Sequence, residues 1–130
     1  MIKKIILIAT FMSVTLLADM NWSANLGLAY DMAERDDKLV MVMLTQTGCP
    51  GSATMESGAL IEQKVVDSLN KDFMVVQLNV DDDDISSILV YSETPTFYFL
   101  NSEKEILDVF KGIKNEQEFL EQLEKVKALK

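Results

Sequence analysis

An uninterrupted apolar run in the first half of the chain constrains the fold more than any other feature of the sequence. Residues 39–44 read LVMVML and lie between Lys38 and Thr45. Six residues are too few for a typical helix, and a strand with one face in solvent would alternate apolar and polar residues. The run therefore predicts a strand buried on both faces, as in an α/β protein whose sheet is covered by helices on each side.

Three further β-rich segments complete a predicted sheet of four strands. They are residues 73–80 (FMVVQLNV), 95–100 (PTFYFL) and 106–110 (ILDVF), and Gly112 interrupts the last of them. A helix between the first two strands makes them parallel, whereas the short turn at residues 101–104 makes the last two antiparallel. The sheet is therefore predicted to be mixed.

Helices are predicted before, between and after these strands. Pro50 suits the first turn of a helix, where its missing N–H costs nothing. Asn115, with Glu118 three residues later, is typical of a capping box. The pattern indicates one α/β domain, with a four-stranded mixed sheet flanked by helices on both faces. The predicted helices are residues 25–35, a helix from Pro50 that breaks near Gly58 and resumes toward Leu69, residues 85–91, and a last helix from Asn115.

The first eighteen residues have the layout of a secretory signal peptide. Lys3 and Lys4 precede an apolar run at residues 5–17, and Ala18 offers a small residue for cleavage before Asp19. The alternative is an uncleaved N-terminal anchor, but the run is short for a membrane-spanning helix, which needs about 20 residues. We therefore expect a signal peptide at 1–18, a domain at 19–130, and a periplasmic or secreted protein without a stable membrane anchor after cleavage.

The charge of the chain excludes some partners. Its net charge is −9, and loss of the two lysines of the signal peptide makes it more negative by two. Such a chain repels nucleic acid, and no basic cluster is left to hold an anionic membrane surface. We expect neither nucleic acid nor a membrane as a partner.

A single cysteine, Cys49, rules out a disulfide within the chain. In an oxidising compartment an odd cysteine is a reactive thiol, the link of a dimer, or a buried side chain without a role. The neighbours Gly48 and Pro50 favour a surface loop at a helix start, where unpaired backbone N–H groups favour the thiolate. A reactive thiol is therefore the favoured reading, and a Cys49-linked dimer is an alternative state.

Two short motifs and a glycine carry a resemblance to a known family. The motifs are residues 48–55 (GCPGSATM) and 93–97 (ETPTF), and Gly112 follows the last strand. In this order, the chain from Trp22 to about Lys127 resembles the thioredoxin superfamily, in particular its small exported bacterial members with a Cys-X-X-Ser (monothiol) motif. The resemblance implies a thioredoxin-like fold and thiol–disulfide exchange.

The resemblance also implies roles for individual residues. Cys49 is the expected nucleophile, and Ser52 stands where many members have the second cysteine, which releases the substrate. Oxygen cannot replace sulfur in that exchange, so a mixed disulfide would need an outside thiol for its release. Pro95 is expected after a cis peptide bond and against Cys49. Gly48, Pro50, Thr94 and Pro95 are the expected substrate-binding residues.

Departures from the family pattern keep a second functional class open. Met43 stands where many thioredoxins have a buried acid, and Gly48 where an aromatic residue is common. The chain has no histidine, which argues against cysteine-protease chemistry. The first class is a monothiol oxidoreductase that acts on protein or low-molecular-weight disulfides and thiols. The second is a redox-inactive thioredoxin-fold binding module with a degenerate site. An introduced serine at position 52 is disfavoured, because the leader is intact and no tag is present.

No cofactor and no metal site is expected from the remaining features. Residues 81–84 are four aspartates, but the spaced ligands, glycine and terminal glutamate of an EF-hand are missing, so we predict a solvated turn with a helix-capping aspartate. Met41, Met43 and Met55 could bind copper(I) with Cys49, yet methionines on a strand are more often core residues.

Overall fold

The computed structural model describes residues 19–130, and the predicted signal peptide at 1–18 lies outside the described residues. The chain folds as an α/β protein whose four strands lie in the order β2-β1-β3-β4. The elements in chain order are α1 (Leu26–Asp36), β1 (Leu39–Thr45), α2 (Pro50–Ser57), a 3₁₀ turn (Ala59–Ile61), α3 (Gln63–Asp72), β2 (Phe73–Asn79), β3 (Thr96–Leu100), β4 (Ile106–Lys111) and α4 (Glu116–Lys127).

The central strand is β1, and all seven of its residues are buried. It pairs in parallel with β2, from Leu39 beside Phe73 to Thr45 beside Asn79. On its other side it pairs antiparallel with β3, which pairs antiparallel with β4. The predicted mixed sheet, with one parallel and one antiparallel neighbour of the apolar run, is confirmed.

Helices cover both faces of the sheet, because alternate side chains of β1 point to opposite sides. On one face, Met41 and Met43 pack in a core with residues of α2, α3 and α4. On the other face, Val40 and Val42 pack with buried residues of α1. The methionines that were weighed as copper ligands are therefore core residues of the first face.

Aromatic side chains pack together in the first core, near the carboxyl end of β1. The rings of Phe97 and Phe110 stack with centroids 4.5 Å apart, and Phe119 of α4 meets Phe97 edge to ring at 5.6 Å. Such pairs add about 0.5–1.5 kcal/mol beyond the area they bury. Since Phe97 follows Pro95 by two residues, this packing anchors the turn that leads into β3.

The helix ends follow local chemistry. Asn115 and Glu118 form the predicted capping box, with each side chain accepting from the backbone N–H of the other residue. The break after α2 is at Gly58, where an added Cβ would lie 2.7 Å from the carbonyl oxygen of Thr54. The interruption that the sequence predicted between Pro50 and Leu69 is therefore confirmed.

The predicted short helix at residues 85–91 is wrong. The structure has only turns between β2 and β3, and of the apolar residues in that segment only Leu89 is fully buried. The reason is topological: β2 ends, and β3 begins, at the same end of the sheet, so the connection need not cross it. Asp83 likewise caps no helix, and its carboxylate accepts from the backbone N–H of Asn79.

Candidate functional site

Cys49 lies at the carboxyl end of the central strand, directly before α2. β1 ends at Thr45, and the Cys49 N–H donates to the carbonyl oxygen of Gln46 at 3.0 Å to close the turn. Gly48 has a φ of 75°, a left-handed conformation that favours glycine. Pro50 is the first helical residue, as predicted, and Cys49 is the N-cap. Its sulfur thus faces the unpaired N–H groups of the first turn.

The turn at Thr94–Pro95 is distant from Cys49 in the sequence but contacts it in the structure. The Thr94–Pro95 peptide bond is cis. The Cys49 thiol donates to the carbonyl oxygen of Thr94, and the Thr94 hydroxyl donates to the Cys49 sulfur, both at 3.2 Å. When the thiol ionises, the first bond is lost and the second becomes charge-assisted, which is the stronger kind. The contact therefore favours the thiolate.

Hydrogen bonds from both flanks hold the Thr94–Pro95 turn in place. The hydroxyl of Thr96, which is fully buried, donates to the Glu93 carbonyl oxygen at 2.7 Å. The N–H of Gly112 donates to the Pro95 carbonyl oxygen at 2.9 Å. Gly112, whose φ is 85°, thus ends β4 and also supports the turn.

The start of α2 and the Pro95 ring are packed so closely that only glycine fits between them. A Cβ on Gly51 would lie 2.9 Å from Cδ of Pro95 and 3.8 Å from Cγ1 of Ile113. Real Cβ atoms do not approach another carbon that closely without displacing it. Gly51 therefore lets the Cys49 turn and the Thr94–Pro95 turn come together.

Ser52 lies one helical turn after Cys49 and is almost fully buried, with 3% of its surface exposed. Its Oγ makes no regular hydrogen bond with the described residues, but it lies near enough to the Cys49 sulfur to stabilise a thiolate there. The hydroxyl of Ser52, then that of Thr94, and then the backbone N–H groups of Ser52 and Gly51 lower the pKa of Cys49 to about 7, against the opposing effect of burial. Cys49 is therefore partly ionised at neutral pH without a neighbouring cation.

A cavity of about 540 Å³ opens on one side of Cys49. The sequence-predicted residues Gly48, Cys49, Pro50 and Ser52 border it. Thr94 contacts the Cys49 sulfur, but neither Thr94 nor Pro95 lines the cavity. The structure thus brings all six predicted residues together, and their catalytic and substrate-binding roles stay predictions. The sequence reasoning missed several cavity residues from the loop after β1, from α2 and from β2: Gln46, Thr47, Glu56, Gln77, Asn79 and Asp83.

A signal for part of this wall was present in the sequence. Because β1 and β2 are parallel, the residues that follow them meet at the same edge of the sheet, where α/β proteins bind ligands. Asn79 Nδ2 donates to Thr47 Oγ1 at 2.8 Å and joins the two strand ends. The predicted parallel pairing of the first two strands therefore pointed to Asn79 and Asp83, although the sequence pattern favours a solvated turn with a helix-capping aspartate at residues 81–84.

Residues 19–130 contain neither a metal-binding cluster of side chains nor a membrane-spanning helix. No group of three or more potential ligands among histidine, cysteine, aspartate and glutamate is arranged to hold a metal ion. No helix in that part of the chain is long and apolar enough to cross a membrane.

Comparison with protein-family models decides the family. The model of a thioredoxin-like domain matches residues 26–127, which is most of the chain. The protein belongs to the thioredoxin-like family. The predicted membership of the thioredoxin superfamily is thereby confirmed. No curated protein matches the chain.

Solved structures of thioredoxin-like proteins superpose on most of the chain. A thioredoxin from Thermus thermophilus is 25% identical with a TM-score of 0.75, and the match covers 84% of this chain and 88% of that one. The DsbH oxidoreductase is 12% identical with a TM-score of 0.74, over 87% and 88% of the two chains. The periplasmic thioredoxin SoxS from Paracoccus pantotrophus is 20% identical with a TM-score of 0.57, over 71% and 98%.

Proposed function

We propose that this protein is an exported thiol–disulfide oxidoreductase of the monothiol type, which forms mixed disulfides with proteins or small molecules through Cys49. One observation carries the proposal: the Cys49 sulfur lies at the start of α2 beside the hydroxyls of Thr94 and Ser52, which lower its pKa to about 7. A thiolate at neutral pH is the nucleophile that disulfide exchange needs. The sequence has no other cysteine, so the exchange must be of the monothiol type.

In the first step, the Cys49 thiolate attacks one sulfur of a substrate disulfide. A new bond forms between Cys49 Sγ and that sulfur, the original sulfur–sulfur bond breaks, and the second sulfur leaves as a thiolate. The thiol hydrogen that Cys49 donates to the Thr94 carbonyl oxygen must be absent, so the step is faster above pH 7. The substrate is expected to lie against Gly48, Pro50 and the Thr94–Pro95 turn.

In the second step, a thiol from outside the chain attacks the mixed disulfide. Its thiolate bonds to the substrate sulfur, and Cys49 leaves as the thiolate that Thr94 and Ser52 stabilise. A sulfur with a lowered pKa is a good leaving group, so the features that make Cys49 reactive also speed its release. The Ser52 hydroxyl cannot take this role because oxygen does not exchange with a disulfide. If the Cys49 thiolate of a second copy attacks the Cys49 sulfur instead, the substrate sulfur leaves as a thiolate and a Cys49-linked dimer forms.

A protein substrate is supported by the apolar surface beside the site. Ile113 is exposed and lies against Gly51 on the Pro95 side of Cys49. Val90 and Tyr91, in the loop before Thr94, are also exposed apolar residues. Exposed apolar side chains on the segments that flank a reactive thiol fit a polypeptide better than a small polar disulfide.

The test is mixed-disulfide formation with 2-hydroxyethyl disulfide at neutral pH, followed by mass spectrometry of the intact protein. We expect one adduct per chain, which a small thiol reverses, and no adduct in Cys49→Ala. If Cys49 forms no adduct although the protein is folded by circular dichroism, the oxidoreductase proposal fails. The redox-inactive binding module then becomes the better account.

Export is a separate part of the proposal and has its own test. It is supported by the signal-peptide pattern of residues 1–18 and by the fold that the chain shares with a periplasmic thioredoxin. Mass spectrometry of the protein from the native cells is expected to find Asp19 at its N-terminus, in a periplasmic or secreted fraction. A cytoplasmic protein that begins at Met1 would contradict it.

A further inference from the structure

The cavity beside Cys49 carries negative charge without a compensating cation. Glu56 and Asp83 line it, and Asp81 joins its rim by accepting from the side chain of Gln46. No Lys or Arg is among the lining residues. Within residues 19–130, none of these three carboxylates takes part in an ion pair, since every pair involves other acids.

Neutral donors hold these carboxylates in position. Gln77 Nε2 donates to Glu56 Oε1 at 2.6 Å, and the Asn79 N–H donates to Asp83 Oδ2 at 2.6 Å. Amide donors orient a carboxylate and leave its full charge in place, which a lysine or arginine would cancel. The cavity therefore has a fixed negative wall.

Ser52 connects this cavity to the reactive sulfur. Its side chain borders the cavity, and only 3% of its surface is exposed. Its Oγ makes no regular hydrogen bond with the described residues and is available to the Cys49 thiolate, which its hydroxyl stabilises. The thiolate and the acidic wall therefore face the same cavity.

Lys111 and Lys114, the two lysines that flank Gly112, lie away from this negative wall. Lys111 Nζ donates to the hydroxyl of Ser92, on the side of β4. Lys114 Nζ lies 4.9 Å from the ring centroid of Phe110. Neither residue lines the cavity. These lysines therefore leave the carboxylates of the cavity without a cationic partner.

We infer that Cys49 selects disulfides that carry positive charge beside the sulfur–sulfur bond, such as those of polypeptide segments rich in lysine or arginine, over anionic disulfides. The inference rests on the proposed function and names its substrate class. A cavity with walls of one charge raises the local concentration of opposite charge and lowers that of like charge. The exchange chemistry is unchanged and needs no further reagent.

A neighbouring cavity gives such a polypeptide room to continue. This second cavity, of about 330 Å³, shares Glu56 and Gln77 with the first. It adds another carboxylate, Asp19, and the apolar side chains of Trp22 and Ile61. A polypeptide segment that passes over Glu56 would thus place its basic residues in the first cavity and an apolar residue in the second.

The experiment compares three probes in thiol exchange with Cys49: cystamine, which is cationic, 2-hydroxyethyl disulfide, which is neutral, and oxidised glutathione, which is anionic. Each rate constant is measured for the wild type and for the double variant Glu56→Gln/Asp83→Asn. The control is Asp31→Asn/Glu34→Gln, two exposed residues of α1 with the same change in net charge. Comparing one probe between proteins cancels its intrinsic reactivity.

We expect the ratio of the cystamine to the glutathione rate to fall by about tenfold in the double variant and to stay unchanged in the control. In the wild type, raising the ionic strength should lower the same ratio, because salt screens exposed charges. The salt series needs no variant, so a misfolded double variant does not stop the test. If Cys49 reacts with all three probes and neither substitution nor salt changes the ratio, the inference is overturned and the proposed function stands. If Cys49 reacts with none, both fall.

Discussion

The two ends of the central strand β1 differ in whether their acidic side chains are paired with lysines. At the amino end, Lys127 pairs with Asp72 at 3.4 Å and Lys130 pairs with Asp37 at 3.3 Å, and these residues surround one surface depression. At the carboxyl end, Glu56 and Asp83 lie beside Cys49 without any cation. The acidic residues at the amino end are thus paired with lysines, whereas those at the carboxyl end, where a substrate would enter, have no cationic partner.

The contrast extends to the reactive thiol. The carboxyl end has a cysteine whose pKa is lowered to about 7. Functional sites often contain groups with shifted pKa values. Changes at the carboxyl end should therefore alter chemistry, and changes at the amino end should alter stability slightly and chemistry not at all.

The largest expected effect is that of Ser52→Cys. It adds the missing sulfur one helical turn after Cys49, so a mixed disulfide can be resolved within the chain. We expect insulin-type disulfide reduction driven by a dithiol to rise by more than an order of magnitude. Ser52→Ala, as the control of similar burial, should give no such gain. If Ser52→Cys folds correctly but does not reduce insulin, the site lacks more for dithiol exchange than a second sulfur, and this prediction is wrong.

Gly51→Ala is expected to separate the two turns of the site. The new Cβ would lie 2.9 Å from Cδ of Pro95, and such overpacking costs about 1–3 kcal/mol. The free energy of unfolding from urea titration should fall, and the Cys49 pKa should rise as Thr94 moves away. Gly27→Ala in α1 is the matched control. It makes only ordinary contact with Asn25 and should stabilise the helix by about 0.5–1 kcal/mol.

Thr94→Val should change reactivity with little change in packing. The substitution removes the hydroxyl that donates to the Cys49 sulfur, so the pKa of Cys49 should rise from about 7 toward its ordinary value. The measurement is the rate of iodoacetamide alkylation against pH, whose midpoint should move upward and whose rate at pH 7 should fall several-fold. Thr94→Ser keeps the hydroxyl and should keep the midpoint, and an unmoved midpoint in Thr94→Val would contradict the contact.

The lowered pKa of Cys49 also makes stability depend on pH. The folded value is about 7 and an unperturbed cysteine has about 8.5, so the folded state favours the thiolate. Its stabilisation should be complete above pH ~8.5 and should be lost as the pH falls through 7. The unfolding free energy of the wild type relative to Cys49→Ala should therefore increase as the pH rises from about 7 to ~8.5. A flat difference would mean that folding leaves the thiol unchanged.

The smallest effect is expected at the other end of β1. Lys127→Met breaks the pairs with Asp72 and Glu124, which are partly exposed and contribute about 0–1 kcal/mol. The melting temperature should fall slightly, while the alkylation profile of Cys49 should not move. A change in that profile would show that the two ends are coupled, and the comparison would no longer hold.

The sequence predicted the regular elements well where hydrophobic patterns were strong. The run at 39–44 could only be an interior strand, and Pro50 and Asn115 marked helix starts with local chemistry. It failed at residues 85–91, whose apolar spacing suggested a helix. Strand order decides that segment: with β3 antiparallel to β1, the chain returns at the same end of the sheet and needs no crossover.

The candidate site shows the same division. Residues that follow a motif, such as Cys49, Ser52 and Pro95, were found from the sequence because each has a distinctive neighbour. The cavity wall was not, since Glu56, Gln77 and Asp83 are ordinary polar residues that become neighbours only through the parallel pairing of β1 and β2. No local pattern records a relation between separate strand ends.

The edges of the sheet have a consequence for self-association. Trp22 bridges to Val75 on the outer side of β2, and the N–H of Ser23 donates to the Val75 carbonyl oxygen at 2.7 Å. The segment before α1 therefore occupies that edge, and an edge already paired cannot recruit a strand from a neighbouring molecule. At the opposite edge, β4 carries Asp108, and the pairing of β3 with β4 is irregular at its far end. Each edge thus carries a feature that disfavours open-ended strand stacking between molecules.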